Sequence, residues 1–557
     1  MGPDKPLIVQ GDLTLLLEVS HPGYAAARDA IAPFTELEKS PEYIHTYRIT
    51  HLSLWNAAST GLSANAVLES LDEHSRFPVP TSVRREIEQY MGRYGQVRLV
   101  KRGDDLVLEA DDPLFLKEAR TVKAAREWLL EAHPQGGLRV DARYRGHVKQ
   151  ALTLAGLPVE DLAGYSIGEP LAVRLRSETK SGKPFGVRDY QQEAAEIFYA
   201  AGSERGGAGT VVLPCGAGKT IVGIAAMALC QTRTLVLTTN VVAVRQWINE
   251  ILDKTELLPE QVGEYTGLNK EIRQVTVATY QILTWRADKE SDFPHFSLFK
   301  DHKWGLIIYD EVHLLPAPVF RVSAEVQAMR RLGLTATLVR EDGKEADVFS
   351  LIGPKRYDVP WKVLESRGWI ASATCAEYRI PQPLEQYVKY ADAGEREKMR
   401  LASENPLKTN LVEQLLEKHE GENILIIGQY LSQLKDLSEH LDVPLITGAT
   451  PQREREVLYS RFREGIIRQL IVSKVGNFAI DLPDASVLIQ ISGTWGSRQE
   501  EAQRLGRILR PKSDGRAASF YTVVTRDTRE QDFAMHRQLF LVEQGYQYAI
   551  EFWEPGA

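Results

Sequence analysis

From Phe185 onward, short apolar runs alternate with longer stretches in which apolar residues recur every three or four positions. The runs Thr210–Leu213, Thr234–Leu237, Val275–Ala278 and Leu306–Tyr309 are too short for helices and rich in β-branched residues, so they predict strands buried on both faces. A second series follows at Ile424–Ile427, Pro444–Ile446, Leu470–Val472 and Val487–Ile489. Strands alternating with amphipathic helices predict a parallel sheet with covered faces, and two series predict two similar α/β lobes.

Upstream the rhythm is mixed. Leu7–Val9 and Thr14–Leu17 read as strands, and Leu52–Ala58 and Ala64–Leu71 as helices, with Ser63 placed to cap the second. Arg98–Val100 and Leu106–Leu108 flank Gly103-Asp104-Asp105 and predict a hairpin. A helix over Val122–Ala132, a turn at Pro134–Gly137, a strand and a helix over His147–Ala155 follow. Ser177–Pro184, rich in Ser, Lys and Gly, reads as a linker. These patterns set domains at 1–105, 106–178, 179–360 and 361–557, which suits a chain of 557 residues.

Chemistry enters where the first strand of the first lobe ends. Pro214-Cys215-Gly216-Ala217-Gly218-Lys219-Thr220 follows a strand and precedes a helix. Glycine is required where backbone amides close around phosphate oxygens, so Gly216 and Gly218, with Ala217 between them, predict a phosphate cradle. Lys219 supplies a point charge for the β- and γ-phosphates, Thr220 a hydroxyl for Mg²⁺, and the helix its positive end. Leu213 stands where the strict pattern has its first glycine. Downstream, Leu306–Tyr309 runs into Asp310-Glu311-Val312-His313, which puts two carboxylates at the end of a buried strand, where doubly wound sheets bind ligands. Asp310 is then the Mg²⁺ ligand and Glu311 the group that orients or deprotonates the attacking water. An acidic pair after a strand also serves as a helix cap, and the phosphate loop decides between the two readings. Just ahead of the lobe, Arg188 and Gln191 are candidates for binding the nucleotide base, and His313 for a coupling hydrogen bond.

The second lobe offers Gln503-Arg504-Leu505-Gly506-Arg507-Ile508-Leu509-Arg510. Arg507 and Arg510 are three apart and share a helical face, which suits cations delivered to a γ-phosphate as its charge develops, with Gln503 contacting the nucleotide or the water. The competing reading is a solvated arginine-rich helix. Asp481 is placed to accept from the ribose, and Ser473 and Gly476 sit in the loop before it. In the first lobe, Thr238, Asn240 and Gln246, with Thr279 and Tyr280, follow strand ends, where hydroxyls and amides suit a phosphodiester track. Thr335 and Thr337 lie where hydrolysis and grip are linked.

A formal charge of −8 and a pI near 5.9 exclude a broad basic coat, so any grip on nucleic acid rests on a few contacts. The 3 cysteines exclude a disulfide framework and a four-thiolate cluster, and they suit a reducing compartment. The amino terminus lacks a secretory pattern and no apolar run reaches membrane-span length, so the expected location is cytoplasmic.

In order, the phosphate loop, Asp310–His313, Leu332-Gly333-Leu334-Thr335-Ala336-Thr337-Leu338-Val339-Arg340-Glu341-Asp342 and Gln503–Arg510 resemble the signatures of the XPB family of superfamily-two DNA helicases in its bacterial and archaeal form. His45–Thr50 and Ser53-Leu54-Trp55 extend the resemblance to nearly the full length. It implies two RecA-like lobes preceded by small mixed α/β domains: an amino-terminal α+β domain over 1–105 and a damage-recognition-like domain over 106–178. A helical thumb-like segment is implied near 384–403, and Arg340, Glu341 and Asp342 are implied to assist strand separation. The implied activity is ATP- and Mg²⁺-dependent 3′–5′ unwinding of DNA in excision-type repair, on single strands, forks or duplex, by a monomer with a nuclease as candidate partner and no membrane contact. The alternative is a duplex translocase that frees neither strand. Further rivals are a nucleotide-switched scaffold and an RNA track.

Overall fold

The computed structural model describes the chain except for residues 1–4, 42, 164–167, 204–205, 215, 287–292, 301, 316–329, 337–344, 360, 474–484, 494–500, 502–503, 507, 509–516, 547 and 557, and except for the side chains of 300, 452 and 540. It divides into two compact units. One comprises Met1–Glu36, Thr46–Leu213 and Gly218–Asp358, and the other Leu37–His45, Pro214–Ala217 and Val359–Ala557.

The first unit holds a parallel sheet of seven strands. Across it they run Val262–Tyr265, Val275–Thr279, Thr234–Thr238, Leu306–Asp310, Arg330–Thr335, Ala208–Val212 and Lys355–Asp358. The inner strands are buried along almost their whole length, which is why Thr234–Thr238, Val275–Thr279 and Leu306–Asp310 appear in the sequence as largely apolar runs, whereas Arg330–Thr335 is buried although it opens on two arginines. Register aligns their carboxyl ends, with Thr238 beside Thr279 and Asp310 beside Leu334.

The second unit holds another parallel sheet of seven strands, ordered Leu445–Ile446, Gln469–Val472, Ile424–Ile427, Val487–Gln490, Ala518–Thr525, Ala373–Ile380 and Tyr548–Phe552. Numbered along the chain within each sheet, both orders read 3-4-2-5-6-1-7. The two lobes are therefore topological copies, each crossing over near its third-placed strand, and they match the two parallel-sheet lobes expected. Beneath the second sheet, Lys408 is buried and donates to Ile491 O at 2.6 Å, Val523 O at 3.1 Å and Glu530 at 2.7 Å. Residues 384–403 form two helices, Leu384–Asp392 and Glu395–Ser403.

Ahead of the first lobe, Leu7–Val9 and Thr14–Glu18 pair antiparallel. Helices His51–Ser59, Ala64–His74 and Thr81–Arg93 follow, and the Ser63 hydroxyl accepts from Ala66 N as its position predicted. A five-stranded sheet then runs Leu129–Ala132, Leu138–Val140, Asp105–Ala110, Val97–Arg102 and Val159–Asp161. Two expectations change here. The hairpin pairs Arg102 with Asp105, so a boundary between 105 and 106 would cut it, and the strand pairing moves that boundary upstream of Val97. The expected helix over 122–132 is instead a 3₁₀ turn, Arg126–Trp128, followed by the strand Leu129–Ala132, because pairing with Leu138–Val140 outweighs the local helical preference of an Ala/Leu/Glu stretch. The turn joining those strands has Gly137 at φ 86°, with Leu108 O only 2.7 Å from where a Cβ would stand.

The sheet meets the first lobe through helix Arg145–Leu154. Gln150 donates to Asp347 of helix Glu345–Leu351, and nearby Asn56 Oδ1 accepts from Lys355 N at 2.9 Å. At this junction Asp161 is buried and accepts from Arg145 Nε and Lys149 Nζ, each at 3.0 Å. Arg331, on a strand of the lobe, adds attraction. Burial lowers the Lys149 ammonium to about 8, and Asp161 opposes that shift. For Asp161 burial works the other way, yet Lys149 and then Arg145 hold its carboxyl well below the usual carboxylate range.

Candidate nucleotide site

The loop after strand Ala208–Val212 needs glycine for two separate reasons. Gly216 and Gly218 have φ of 82° and 81°, the left-handed region that side chains disfavour. A Cβ on Gly218 would also stand 2.4 Å from Gln191 Nε2. Gln191 is buried there, and its Oε1 accepts from Arg188 N at 3.0 Å, capping helix Asp189–Tyr199. Arg188 Nη1 donates to Tyr190 OH at 3.2 Å. The first turn of that helix is thus packed against the phosphate loop, and Gln191 is engaged by its own helix rather than extended into solvent. Helix Lys219–Cys230 starts immediately after Gly218, leaving its first amides directed at the loop.

Strand Leu306–Asp310 delivers the acidic pair. Lys219 Nζ lies 3.5 Å from Glu311 Oε1, so the lysine and the second carboxylate meet across the carboxyl end of the sheet. Glu311 departs from the strand at φ 51°, an uncommon conformation for a residue with a side chain, and its Oε2 is buried without a hydrogen bond among the described residues. Strain and an unsatisfied carboxylate oxygen at one residue are typical of functional positions.

Asp310 is held more tightly. Trp247 Nε1 donates to its Oδ2 at 2.8 Å, Thr238 Oγ1 to the same oxygen at 3.3 Å, and Tyr280 OH to its backbone carbonyl at 2.9 Å. Burial and the adjacent Glu311 push the Asp310 carboxyl up to about 6, while Trp247, Lys219 and Thr238 pull it back. His313 Nδ1 lies 2.6 Å from Thr335 Oγ1 and 3.6 Å from Glu311 Oε2, joining the acidic motif to the strand that ends at Thr335.

The residues expected to meet a track fall into two groups. Asn240 and Gln246 reach the surface. The side chain of Asn240 caps helix Val241–Lys254 by accepting from Ala243 N at 3.0 Å. Thr238, Thr279, Tyr280, Thr335 and Ser473 are buried. Thr279 Oγ1 accepts from Ile282 N at 3.3 Å, and Ser473 N donates to Ile446 O at 2.9 Å. Their positions suit transmission within the sheet rather than contact with a polymer. Thr337, Arg340, Glu341, Asp342, Gly476, Asp481, Gln503, Arg507 and Arg510 lie outside the described residues.

The arginine segment has described neighbours. Glu501, Arg504, Leu505 and Ile508 are buried, and Arg504 Nη1 donates to Gln490 Oε1 at 2.5 Å. Arg504 therefore serves the interior of its own lobe. Trp247 is the functional neighbour that sequence reasoning passed over as a donor. The signal was its place directly after Gln246, but nothing in the sequence links it to a carboxylate 63 positions on.

A profile described as ERCC3/RAD25/XPB C-terminal helicase matches residues 364–552. One described as type III restriction enzyme, res subunit, matches 184–340, and a helicase conserved C-terminal domain profile matches 7–133. The chain is 53% identical over 548 residues to the DNA 3′-5′ helicase XPB of Kineococcus radiotolerans, covering 98% of this chain and 96% of the relative. It is 51% identical to the protein of the same name from Mycobacterium tuberculosis, covering 98% of each. To the general transcription and DNA repair factor IIH helicase/translocase subunit XPB/SSL2 of Saccharomyces cerevisiae it is 33% identical, over 98% of this chain and 72% of that one. With half of its residues shared along nearly the whole of two relatives, this chain belongs to the XPB family of DNA helicases.

Proposed function

We propose that this protein is an ATP-dependent DNA helicase that moves 3′ to 5′ and opens DNA during excision-type repair. The observation that carries the reading is the convergence of Lys219, Asp310 and Glu311 at the aligned carboxyl ends of parallel strands, in a chain with a second lobe of the same topology. The names of the bacterial relatives support the track and the polarity.

The residues fit a metal–nucleotide. Two adjacent acids, one raised by burial and by its neighbour's charge and the other with an oxygen lacking a hydrogen bond among the described residues, make a donor set whose repulsion a divalent cation relieves. Asp310 and the Thr220 hydroxyl would hold Mg²⁺, which when bound screens the phosphate charge. The amides around Gly216, Ala217 and Gly218 cradle the phosphates, and Lys219 neutralises the outer ones. Arg188 and Gln191 serve the nucleotide end, Gln191 through its packing on Gly218. Glu311 orients the attacking water and takes its proton. Arg507 and Arg510, with Gln503, complete the charge from the second lobe, and Asp481 accepts from the ribose.

On the track side, Asn240 and Gln246 touch phosphates, with Gly476 as their counterpart in the second lobe, while the buried Ser473 couples. Thr238, Thr279, Tyr280, Thr335 and Thr337 couple, and Arg340, Glu341 and Asp342 part the strands. The two small domains ahead of residue 179 position the substrate, and helices Leu384–Asp392 and Glu395–Ser403 form the thumb-like segment. The protein acts as a monomer, and a nuclease is the partner chemistry that excision calls for.

Strand displacement on duplexes with a 3′ or a 5′ tail tests the proposal. Opening of the 3′-tailed substrate alone, dependent on ATP and Mg²⁺, is expected. Loss of a triplex-forming strand without any unwinding would assign duplex translocation instead, and preferential competition by RNA would change the track.

A further inference from the structure

Asp310 is held by residues from the two segments that follow the strand ends Thr238 and Thr279. The indole N–H of Trp247 donates to its carboxylate Oδ2, and the Tyr280 hydroxyl donates to its backbone carbonyl. Trp247 lies on helix Val241–Lys254. Gln246, immediately before it, is exposed, whereas Trp247 is 2% exposed. The ring is also wedged against the helix that begins at the phosphate loop. A Cβ on Gly223 would stand 2.5 Å from Trp247 Cη2 and 3.1 Å from Cζ3, so the absence of a side chain there is what admits the indole. One side chain thus touches the phosphate-loop helix and the first carboxylate of the acidic motif, and its neighbour in sequence faces outward.

We infer that Trp247 is a positioning residue that sets the orientation of Asp310 toward Mg²⁺ and makes it depend on how helix Val241–Lys254 sits on DNA. This rests on the proposed reading of Asp310 as the metal ligand. Its physical basis is a charge-assisted hydrogen bond in a buried setting, where the donor fixes the rotation of the carboxylate and stabilises its ionised form. The bond from Thr238, at 3.3 Å to the same oxygen, is too long to replace it alone. Tyr280 acts on the same residue from the other segment, through the backbone.

The test uses the full chain and reads binding rather than turnover. A fluorescent ATP analogue is titrated at varied free Mg²⁺, with and without single-stranded DNA, in the wild type and in Trp247→Phe, which keeps a ring against Gly223 and removes only the N–H. The Mg²⁺ concentration for half-maximal binding is expected to rise about tenfold to a hundredfold, the loss typical of a hydrogen bond to a charged group. Mg²⁺-free nucleotide binding and the thermal midpoint stay near wild type, which a general packing defect would not allow. DNA shifts the wild-type half-point and leaves that of Trp247→Phe in place. A half-point in Trp247→Phe equal to wild type overturns the inference, as does a DNA effect that survives the substitution or is absent from the wild type. Tyr280→Phe gives a second reading should Trp247→Phe fold poorly, with a smaller shift in the same direction expected and no shift counting against the inference. Asp310→Asn separates the two levels: if it too keeps the wild-type half-point, the metal-ligand reading has failed and not the role of Trp247.

Discussion

Replacing Asp161 by asparagine keeps the side chain's shape and removes its charge at the junction of the five-stranded sheet and the first lobe. The wild-type carboxylate is buried and accepts from Arg145 and Lys149, with Arg331 adding attraction. Removing one charge of a buried ion pair costs about 3–5 kcal/mol. Lys149 can escape part of this. Its ammonium already sits at about 8, so shedding the proton at neutral pH adds only about 1 kcal/mol. The arginines have no such route. A net loss of about 3 kcal/mol is therefore expected, measured as the free energy of the first unfolding transition in urea with protease sensitivity of residues 97–161 as a second probe. The sign with pH follows from the lowered carboxyl. Asp161 contributes stability that is fully present above the carboxyl's unfolded value, near about pH 4, and that is lost as pH falls toward its folded value. The gap between wild type and Asp161→Asn should widen as pH falls from about 7 to 5, because Lys149 of the variant regains its proton without a counter-charge, and shrink below about pH 4. A loss below about 1 kcal/mol, or a gap that persists unchanged in acid, would refute the claim that this carboxylate is a counter-ion of the cluster.

Glu311→Gln should retain nucleotide and DNA binding while turnover falls by about 10²- to 10⁴-fold, since only water activation is removed; normal turnover would take Glu311 out of its role. Gly218→Ala should weaken nucleotide binding at least about tenfold, because both its left-handed backbone and its contact with Gln191 exclude a methyl group. Gly218→Ala should also lower the thermal midpoint, and adding Gln191→Ala should recover part of that loss by removing the clash but not the backbone strain; no recovery would show that the contact is unimportant. Arg507→Ala should lower the DNA-stimulated ATPase rate on the order of 10³-fold, whereas a small effect would move the finger role to Arg510.

Both sheets were legible because parallel strands buried on two faces must be apolar without interruption. Ile424–Ile427 matched to the residue and the other seven expected strands to within two, whereas Val262–Tyr265, Arg330–Thr335, Lys355–Asp358, Ala373–Ile380, Ala518–Thr525 and Tyr548–Phe552 were not anticipated. The phosphate loop and the acidic pair were legible for a different reason, since their chemistry constrains adjacent positions. What failed was decided at a distance. Residues 122–132 carry good helix formers, and only pairing with Leu138–Val140 across a glycine turn makes Leu129–Ala132 a strand. Helix Pro113–Thr121 was overlooked although Asp112 caps it by accepting from Leu114 N at 2.8 Å and a proline opens it, the usual signature of a helix start. The identical strand orders of the two lobes, the bond from Trp247 to Asp310 and the burial of Thr238, Thr279, Tyr280 and Thr335 all depend on which strands become neighbours. Local pattern carries no information on that.

The left-handed backbone at Glu311 sets durability against work. Any residue with a Cβ is strained there by about 1 kcal/mol relative to glycine, so the fold would be more robust if the proposed water-activating group were absent. Populations of variants selected only for heat tolerance should drift toward glycine or asparagine at this position and go silent, whereas selection for ATP-driven activity should keep the glutamate.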